Sequence, residues 1–427
     1  MREMKDSGIE WVGKVPKIWS LKPIRALFDE VTEKNFLGTC SNALKFTYGS
    51  IVRKPNFDAD ADDYVASTIL NYTVVEPGTI MLNGLNLNFD FVSQRIGLVK
   101  EKGVITSAYM AFKPNEKHLI DSEFATYLFK AYDGCKAFHN MGGGVRKILN
   151  FNEFKKYYIP LPDLNEQHHI VDYLYTKCSE IDATAEDIQK EISLLEDYKK
   201  SVITEAVTKG LNPDAEMKDS GIEWIGKIPK DWEVHPVYVY FEEGKTKNYR
   251  MQEQNLLSLS YGRIIRKDIN TNGGLLPASF NTYNVINAGD IIIRPTDLQN
   301  DKRSLRTGLV KEQGIITSAY IDLRPKDNVN SAYYHYLLHS YDIIKVFYNM
   351  GNGVRQGLNF SEFAKLLLLE PTTVEQQQIA DYLDIKCSEI DTLIADKKRQ
   401  LYILTDYKKS LIYEYITGKK EVPVKDF

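Results

Sequence analysis

The feature of this sequence that most constrains its fold is an internal duplication. Residues 4–19 (MKDSGIEWVGKVPKIW) return at 217–232 as MKDSGIEWIGKIPKDW, and residues 97–109 (GLVKEKGVITSAY) return at 308–320 as GLVKEQGIITSAY. The offset drifts only from 213 residues at the start of the repeat to 209 near its end, so the chain holds two complete copies with small loop insertions and deletions. Two copies of one fold predict a pseudo-twofold molecule.

The composition is that of an ordinary folded protein. The 427 residues are 43% hydrophobic and carry a formal net charge of −4, which suits two or three globular domains and excludes a generic polycation. No apolar run reaches the ~18 residues of a membrane span, and the first residues lack the pattern of a secretory signal. The four cysteines form no CxxC pair, so we expect a reduced, cytoplasmic protein without a zinc site or disulfides.

The repeat predicts four segments: a mixed domain over residues 1–162, a long helix over 163–210, a second mixed domain over 211–371 and a second long helix over 372–420. Asp163 and Thr372 stand at N-cap positions with a glutamate three residues later, the signature of a capping box. Beyond these caps, apolar residues recur every seven residues, the period of a coiled coil. Lysines interrupt this seam at matching positions, Lys199 and Lys408. Because the copies are related by a pseudo-twofold, we expect the two helices to pair antiparallel.

Each mixed domain is predicted to be α/β. In the first copy, alternating apolar residues predict strands over 45–52 and 73–83, and two further strands, 95–100 and 104–112, are predicted to form a hairpin. A helix over 121–138 is predicted to bury one face, formed by Phe124, Leu128, Tyr132 and Cys135. The predicted fold class is therefore a duplicated α/β (mixed α+β) domain joined by two long antiparallel coiled-coil helices.

The sequence carries no constellation of catalytic residues. Residues 8–14 and 221–227 fit GxxxxGK, but valine or isoleucine and then proline follow, where a phosphate-binding loop needs Ser or Thr and a helix. Cys178 and Cys387 fall on the heptad seam, where they are expected to act as small core residues. HExxH, GxSxG, a helicase motif set and a methyltransferase tetrapeptide such as NPPY are all missing from the sequence. We therefore expect a chain that is not an enzyme and that holds no cofactor and no metal.

Basic residues cluster outside the long helices. Residues 166–209 hold ten acids and five bases and residues 375–418 hold eight acids and six bases, which leaves a net charge of +3 for the rest of the chain. Arginine forks and amide side chains suit the edges of guanine and adenine in a major groove, whereas lysines suit phosphates. The candidate DNA-binding residues are Arg53, Lys54, Asn86, Arg146 and Lys147 in the first copy and Arg266, Lys267, Arg294, Gln299, Arg303, Arg355 and Gln356 in the second. Arg95 and Arg306 belong to the same clusters.

The two copies agree in their caps, helices and tryptophan turns but differ in polar loops. Residues 56–74 barely resemble 270–285, and residues 83–88 (NGLNLN) correspond to 294–299 (RPTDLQ). This pattern favours two readers of different DNA sequences held by one spacer. The alternative is a coiled-coil adaptor, or scaffold protein, with two α/β protein-binding heads and no DNA. A stand-alone nuclease or methyltransferase is disfavoured, because no catalytic motif is visible.

The duplicated order resembles the DNA specificity subunit of type I restriction-modification systems. The openings at 7–19 and 220–232 share the pattern SGIEWxGx[V/I]PxxW. The segment 159–162 (IPLP), which is followed by Glu-Gln, and the two KCSEID helix segments extend the resemblance over nearly the whole chain. The second copy departs from the pattern at 369–371 (LEP), which lacks the first proline.

The resemblance implies that two target-recognition domains each read one half of a split site in double-stranded DNA. It also implies that the long helices hold these domains apart and dock methyltransferase (modification) subunits, two of them being expected. Those subunits would supply S-adenosylmethionine and adenine methylation, and motor-nuclease (restriction) subunits would supply translocation and cleavage. Two half-sites on one face of a duplex lie about one helical turn, ~34 Å, apart. A helix of 43 residues is about 65 Å long, so the pair of long helices can span that separation.

Overall fold

The computed structural model describes residues 2–55, 67–89, 94–115, 119–143, 147–269, 279–298, 305–350 and 357–423. The chain divides into two compact units, Met1–Ile188 with Arg399–Phe427 and Gln189–Lys398. Helices α1 to α7 are, in chain order, Ser122–Gly134, Phe151–Phe154, Leu164–Lys209, Val237–Tyr240, Ser331–Ile343, Phe360–Phe363 and Thr373–Ile416. Short 3-10 turns are found at Ile24–Ala26, Ala137–Asn140 and Val346–Asn349.

The first unit is built on an antiparallel sheet. Its strands β1 to β12 are, in order, Met4–Asp6, Lys14–Pro16, Ser20–Pro23, Phe28–Glu30, Leu44–Thr47, Ser50–Arg53, Thr73–Val75, Ile80–Leu82, Ile96–Leu98, Gly103–Ile105, Met110–Pro114 and Tyr158–Leu161. The central sheet has the order β4-β11-β8-β9, and the pairs β1-β2, β3-β12, β5-β6 and β7-β10 form two-stranded sheets.

The second unit repeats this plan strand for strand. Its strands β13 to β24 are, in order, Met217–Asp219, Lys227–Pro229, Glu233–Pro236, Phe241–Glu243, Leu257–Ser260, Arg263–Arg266, Asn284–Ile286, Ile291–Ile293, Thr307–Leu309, Gly314–Ile316, Ile321–Pro325 and Leu367–Glu370. The central sheet has the order β16-β23-β20-β21, and β13-β14, β15-β24, β17-β18 and β19-β22 pair separately. The duplication read from the sequence is therefore a duplication of topology.

The core of the first unit lies between the central sheet and α1. The ring of Phe112 on β11 packs against Phe28 and Phe129, with centroid distances of 5.3 and 5.7 Å. Helix α1 begins after Asp121, whose side chain accepts hydrogen bonds from the backbone N–H groups of Glu123 and Phe124. Burying each such aromatic side chain stabilises the unit by roughly 1.5–3 kcal/mol, and the N-cap fixes where the buried face of α1 begins.

The core of the second unit replaces part of this phenylalanine cluster with tyrosines on α5. Tyr333, Tyr334 and Tyr341 are almost fully buried. The Tyr341 hydroxyl donates to the Leu367 carbonyl at 3.0 Å, which satisfies a polar group that burial would otherwise leave unpaired. Desolvation raises the pKa of each of these three tyrosines above its ordinary value, so they stay neutral.

The predicted N-caps of the long helices are confirmed. The Glu166 N–H donates to Asp163 Oδ1 at 2.9 Å, and the Glu375 N–H donates to Thr372 Oγ1 at 3.3 Å. Helix α3 begins at Leu164 and α7 at Thr373, as these caps require.

The capping glutamates also anchor a tryptophan in each unit. The carboxylate of Glu166 accepts a hydrogen bond from Trp19 Nε1 at 2.9 Å, and that of Glu375 accepts one from Trp232 Nε1 at 3.0 Å. Both indoles are buried, so the polar end of each ring finds its partner at the start of a long helix. The shared tryptophan turns thus tie the base of each unit to α3 or α7.

Within the first unit, α3 and the end of α7 pack antiparallel. The rings of Tyr173 and Tyr415 lie 4.6 Å apart, and Lys408 Nζ donates to Asp182 Oδ1 at 2.6 Å. Pairing of 173 with 415 and of 182 with 408 fixes the direction, because the second number falls as the first rises. The lysine that interrupts the predicted seam therefore contacts a carboxylate of the facing helix.

Within the second unit, the end of α3 and the start of α7 also pack antiparallel. Lys199 Nζ donates to Asp391 Oδ1 at 2.7 Å, and Lys397 Nζ lies 2.5 Å from Glu191 Oε2. The seam residues Cys387 and Ile390 are buried here, as predicted. The antiparallel pairing expected from the sequence is thus confirmed inside each unit.

Two sequence predictions about strands are wrong in detail. Strands β9 and β10 do not form a hairpin: β9 pairs with β8 and β10 pairs with β7. Each is buried on both faces, so tertiary packing and not the local turn at Glu101–Gly103 selects its partner. The predicted strand over 45–52 is instead the hairpin β5-β6, because Tyr48 and Gly49 both take positive φ values, 45° and 71°.

The predicted helix over 121–138 is shorter than expected. Helix α1 ends at Gly134, and Cys135 is exposed instead of lying on the buried face with Phe124 and Tyr132. The chain then turns at Lys136, whose φ is 61°. A left-handed residue at this point stops the helix before its apolar pattern ends.

Candidate nucleic-acid interface

A two-stranded ribbon stands against the central sheet in each unit. We call β5-β6 the first ribbon and β17-β18 the second ribbon. In the first ribbon Leu44 pairs with Arg53 and Phe46 with Ile51. The second ribbon has the same register, with Leu257 opposite Arg266 and Leu259 opposite Ile264. The shared Tyr-Gly-x-Ile-[Val/Ile]-Arg-Lys pattern therefore encodes the turn and second strand of each ribbon.

The predicted contacts Arg53 and Arg266 lie at the same place on the two ribbons, and each engages a carboxylate. Arg53 Nε lies 3.1 Å from Glu101 Oε2. Arg266 forms a two-pronged pair with Glu312, in which its Nε donates to Oε1 at 2.7 Å and its Nη2 to Oε2. This guanidinium lowers the pKa of the Glu312 carboxyl. Both arginines thus tie the open end of a ribbon to the turn that precedes β10 or β22.

The lysines that follow these arginines are exposed. The backbone N–H of Lys54 donates to the Ala43 carbonyl and that of Lys267 to the Leu256 carbonyl, at 2.9 and 2.8 Å. Each lysine is therefore fixed at its backbone while its side chain reaches the surface. A long cation on a fixed backbone suits a phosphate better than a base edge.

Asn86 and Lys147 lie on one side of the first unit, where two loops meet. The Leu87 N–H donates to the Lys147 carbonyl at 3.1 Å, which brings the two predicted residues close together. Asn86 is exposed and has φ of 53°. Lys147 is half-buried, and its Nζ donates to the His139 carbonyl at 3.3 Å. The structure thus brings these two candidates together, and neither of them belongs to the first ribbon.

Arg294 follows β20 in the second unit. It is half-buried, and its N–H donates to the Arg306 carbonyl at 2.9 Å. Five of the predicted contacts lie outside the described residues: Arg146, Gln299, Arg303, Arg355 and Gln356.

Two arginines of the basic clusters are structural. Arg95 is fully buried, and its Nη1 donates to the carbonyls of Asn83 and Leu85 at 2.9 and 2.8 Å. Arg306 is equally buried, and its guanidinium donates to Thr296 and Asp297 carbonyls. Each therefore holds the loop after β8 or β20 from beneath. Counting charges in the sequence could not distinguish these buried arginines from exposed arginines. However, Arg95 directly precedes β9 and Arg306 directly precedes the corresponding strand β21, which indicates a shared structural role.

The tip of the second ribbon lies over a pair of histidines on α5. A Cβ at Gly262 would lie 3.4 Å from His339 Cε1, and Thr307 Oγ1 lies 3.3 Å from His339 Nδ1. Burial, with neighbouring cations, lowers the pKa of His335 to about 3 and that of His339 to about 4. Both rings are neutral at pH 7, so they support the ribbon by packing and not by charge.

In the part of the chain that the structure describes, one group of side chains has the spacing of a metal site. Glu233, His235 and Glu370 bring one ligand atom each to within 4.8 Å of the others. His235 Nε2 lies 3.0 Å from Glu233 and 3.3 Å from Glu370, so the three groups satisfy one another. The first copy has Ser20, Lys22 and Leu161 at the matching positions of its strand pair, which argues against a shared metal site. None of the helices in the described ranges is long and apolar enough to cross a membrane.

Comparisons with known proteins agree with this architecture. Residues 23–194 match the family model for the type I restriction modification DNA specificity domain. The chain is 24% identical over 431 residues to the type I restriction enzyme MjaVIII specificity subunit of Methanocaldococcus jannaschii, which covers 96% of this chain and 94% of that protein. It is equally similar to the putative type I restriction enzyme MjaX specificity subunit of the same organism, with 96% of each chain covered.

Two solved structures share the fold over almost the full length. One is a chain from a structure of type I R-M system assembly and conformational transition, with a TM-score of 0.68, 14% identity and coverage of 95% of this chain and 99% of the other. The second is the HsdS subunit of Thermoanaerobacter tengcongensis, with a TM-score of 0.50, 14% identity and coverage of 95% and 98%. Both curated relatives are named as specificity subunits and the second structure as an HsdS subunit, in agreement with the expectation of a specificity subunit that is not itself an enzyme. The matched domain, the relatives covered over nearly their full length and the duplicated fold all agree with the resemblance of this chain to the specificity subunits of type I restriction-modification systems.

Proposed function

We propose that each copy of this specificity subunit reads one half of a bipartite target in double-stranded DNA. The observation that carries the proposal is the presence of two units with one topology, one set of anchors and different polar loops. Two identical frames with different loops are suited to reading two different short sequences. The target-recognition domains are residues 1–162 and 211–371, and the spacer helices are residues 163–210 and 372–420.

The partners are those that the resemblance to type I specificity subunits implies. Two methyltransferase subunits dock on the spacer helices and modify adenine, and motor-nuclease subunits cleave unmodified DNA. The acidic surface of the helices is consistent with protein contacts, because their net charges of −5 and −2 repel phosphates. The complex acts in the cytoplasm. The binding surface combines Arg53, Lys54, Asn86, Arg146 and Lys147 in the first domain with Arg266, Lys267, Arg294, Gln299, Arg303, Arg355 and Gln356 in the second.

The test is the salt dependence of DNA binding by the complex reconstituted with its methyltransferase subunits. Binding is measured at several salt concentrations, on a duplex that carries the sequence whose adenine the complex methylates. We expect a steep slope of log affinity against log salt, because released counterions reflect phosphate contacts. The variant K54Q/K267Q is expected to lower this slope by about 2.

The matched control is K17Q/K230Q, which removes two exposed lysines that lie outside the ribbons and the long helices. Lys17 pairs with Glu3 at 2.8 Å and Lys230 with Glu216 at 3.0 Å. The control is expected to leave the slope unchanged. A flat salt response of the unmodified complex would favour the adaptor alternative and contradict the proposal.

A further inference from the structure

The two ribbons share their inner faces. Phe46 and Ile51 of the first ribbon pack above Gly97, where a Cβ would lie 3.0 Å from Ile51 Cδ1. Leu259 and Ile264 of the second ribbon pack above Gly308 in the same way, with Cβ distances of 2.6 and 2.9 Å. The glycine in β9 or β21 therefore allows each ribbon to lie close against its sheet. The inner face is an anchor, and it is nearly the same in both copies.

The outer faces of the ribbons differ. The first ribbon pairs Lys45 with Val52 and Thr47 with Ser50, and side chains opposite each other in an antiparallel pair share a face. The corresponding pairs of the second ribbon are Ser258 with Ile265 and Ser260 with Arg263. These eight side chains are all exposed or half-buried. One scaffold thus presents Lys, Thr, Ser and Val in one unit and Ser, Ser, Arg and Ile in the other.

A tyrosine projects from the tip of each ribbon. Tyr48 and Tyr261 are 89% and 80% exposed, and both have φ of 45°. A left-handed turn position favours Asn, Asp or Gly, and a bulky residue there costs of order 1 kcal/mol or more. An aromatic ring that is both strained and exposed, at the same place in both ribbons, gives the fold no packing in return. In a duplex, such a ring can contact apolar groups at the base edges, such as the thymine methyl group.

Arg263 has a partner that orients it. Its Nη2 lies 2.9 Å from Asp391 Oδ2, on a side chain that also accepts from Lys199. The Arg263 side chain remains 71% exposed, so this ion pair is screened by water and can exchange for another hydrogen-bond acceptor. The first copy has serine at the matching position, Ser50.

We propose that the outer faces of the two ribbons, with Tyr48 and Tyr261 at their tips, are the surfaces that set base preference in each half-site. The inference rests on the proposed function and names the part of each domain that reads. A two-stranded ribbon fits the B-DNA major groove, where polar side chains distinguish all four base pairs. Arg53 and Arg266 pair with Glu101 and Glu312 at the open ends of the ribbons, outside these outer faces, while Lys54 and Lys267 contact phosphates.

The experiment exchanges the outer face of one ribbon within the intact chain. The variant K45S/T47S/S50R/V52I gives the first ribbon the outer face of the second and keeps its inner face, tip and anchor. Unmodified genomic DNA is methylated by the complex of each variant with its methyltransferase subunits, and the modified adenines are mapped. We expect the first half-site to change its base preference at least tenfold at one or more positions, while the second half-site stays the same.

Two further variants keep the test decisive. R263S is expected to alter only the second half-site, even if the fourfold exchange impairs the first domain. The matched control I18D exchanges an exposed residue outside the ribbon for its counterpart, Asp231, and is expected to leave both half-sites unchanged. If the unmodified complex shows a bipartite site and neither ribbon variant changes it, the ribbon inference is overturned and the proposed function stands. If the unmodified complex shows no bipartite site, the proposed function itself fails.

Discussion

Replacing Arg95 by methionine tests how the loop after β8 is held in place. The guanidinium donates to the carbonyls of Asn83 and Leu85 in a site without solvent access. Methionine keeps much of the volume and removes both hydrogen bonds. A hydrogen bond that involves a charged group contributes about 1.5–3 kcal/mol, so we expect the loss of two such bonds to cost the loop about 3–6 kcal/mol of stability. The methionine also leaves two partly buried carbonyls without this donor, which acts in the same direction.

The assay is native-state hydrogen exchange of single amides. The N–H groups of Leu87 and Leu149 close this loop through the carbonyls of Lys147 and Gly84, at 3.1 and 2.9 Å. A loss of 3 kcal/mol in local opening free energy raises their exchange rates about 100-fold. The amide of Leu358, which donates to the Pro295 carbonyl in the second unit, is the internal control and is expected to be unchanged. Exchange rates at Leu87 and Leu149 that rise less than fivefold would refute the assigned role of Arg95.

Three further predictions concern the helices, the pH response and the ribbon anchor. Asp182→Lys is expected to destabilise the first unit by about 1 kcal/mol through repulsion of Lys408, and adding K408D is expected to restore stability, as a double-mutant cycle in urea would show. In the second unit the pKa values of His335 and His339 lie below the unfolded value of 6.5, so the unfolded chain binds more protons and stability falls as pH drops from about 6.5 towards 4. Burial and the neighbouring Asp290 raise the pKa of Asp322 to about 7, so the stability that Asp322 contributes is present below pH 4 and is lost as pH rises towards 7. H335T removes one of the two histidines and is expected to reduce the loss in melting temperature on acidification. Gly97→Ala is expected to lower the free energy of unfolding by about 1–3 kcal/mol, because the added Cβ would contact Ile51. The control G134A, whose added Cβ has no atom within 4 Å, is expected to be neutral or slightly stabilising. Equal unfolding free energies for the two alanine variants would contradict the close packing of the ribbon.

The long helices were predictable because their determinants are local. An N-cap side chain, a seven-residue period and a matching lysine in each seam all lie within one segment of chain. The sequence could not show which carboxylates the seam lysines contact, since Asp182 and Lys408 are 226 residues apart. It also could not show that the capping glutamates accept from Trp19 and Trp232 in the folded units.

The strand pairings were harder to predict because they are set by contacts between distant segments. Strand β10 is apolar on both faces and pairs with β7, although the turn before it favours a hairpin with β9. Burial decides the role of the arginines in the same way, because Arg95 and Arg53 have the same charge and lie in one cluster of the sequence. Only the folded unit separates the buried arginine, which holds a loop, from the exposed one, which anchors a ribbon.

The most direct test of two independent readers is a map of modified adenines before and after one domain is exchanged. Residues 20–160 are replaced by the same region of another specificity subunit, and the complex with its methyltransferase subunits modifies unmethylated genomic DNA. The account predicts two short half-sites separated by a gap of fixed length, of which the exchange alters one and leaves the other and the gap unchanged. A single uninterrupted motif, or a change in both half-sites after the exchange, would contradict it.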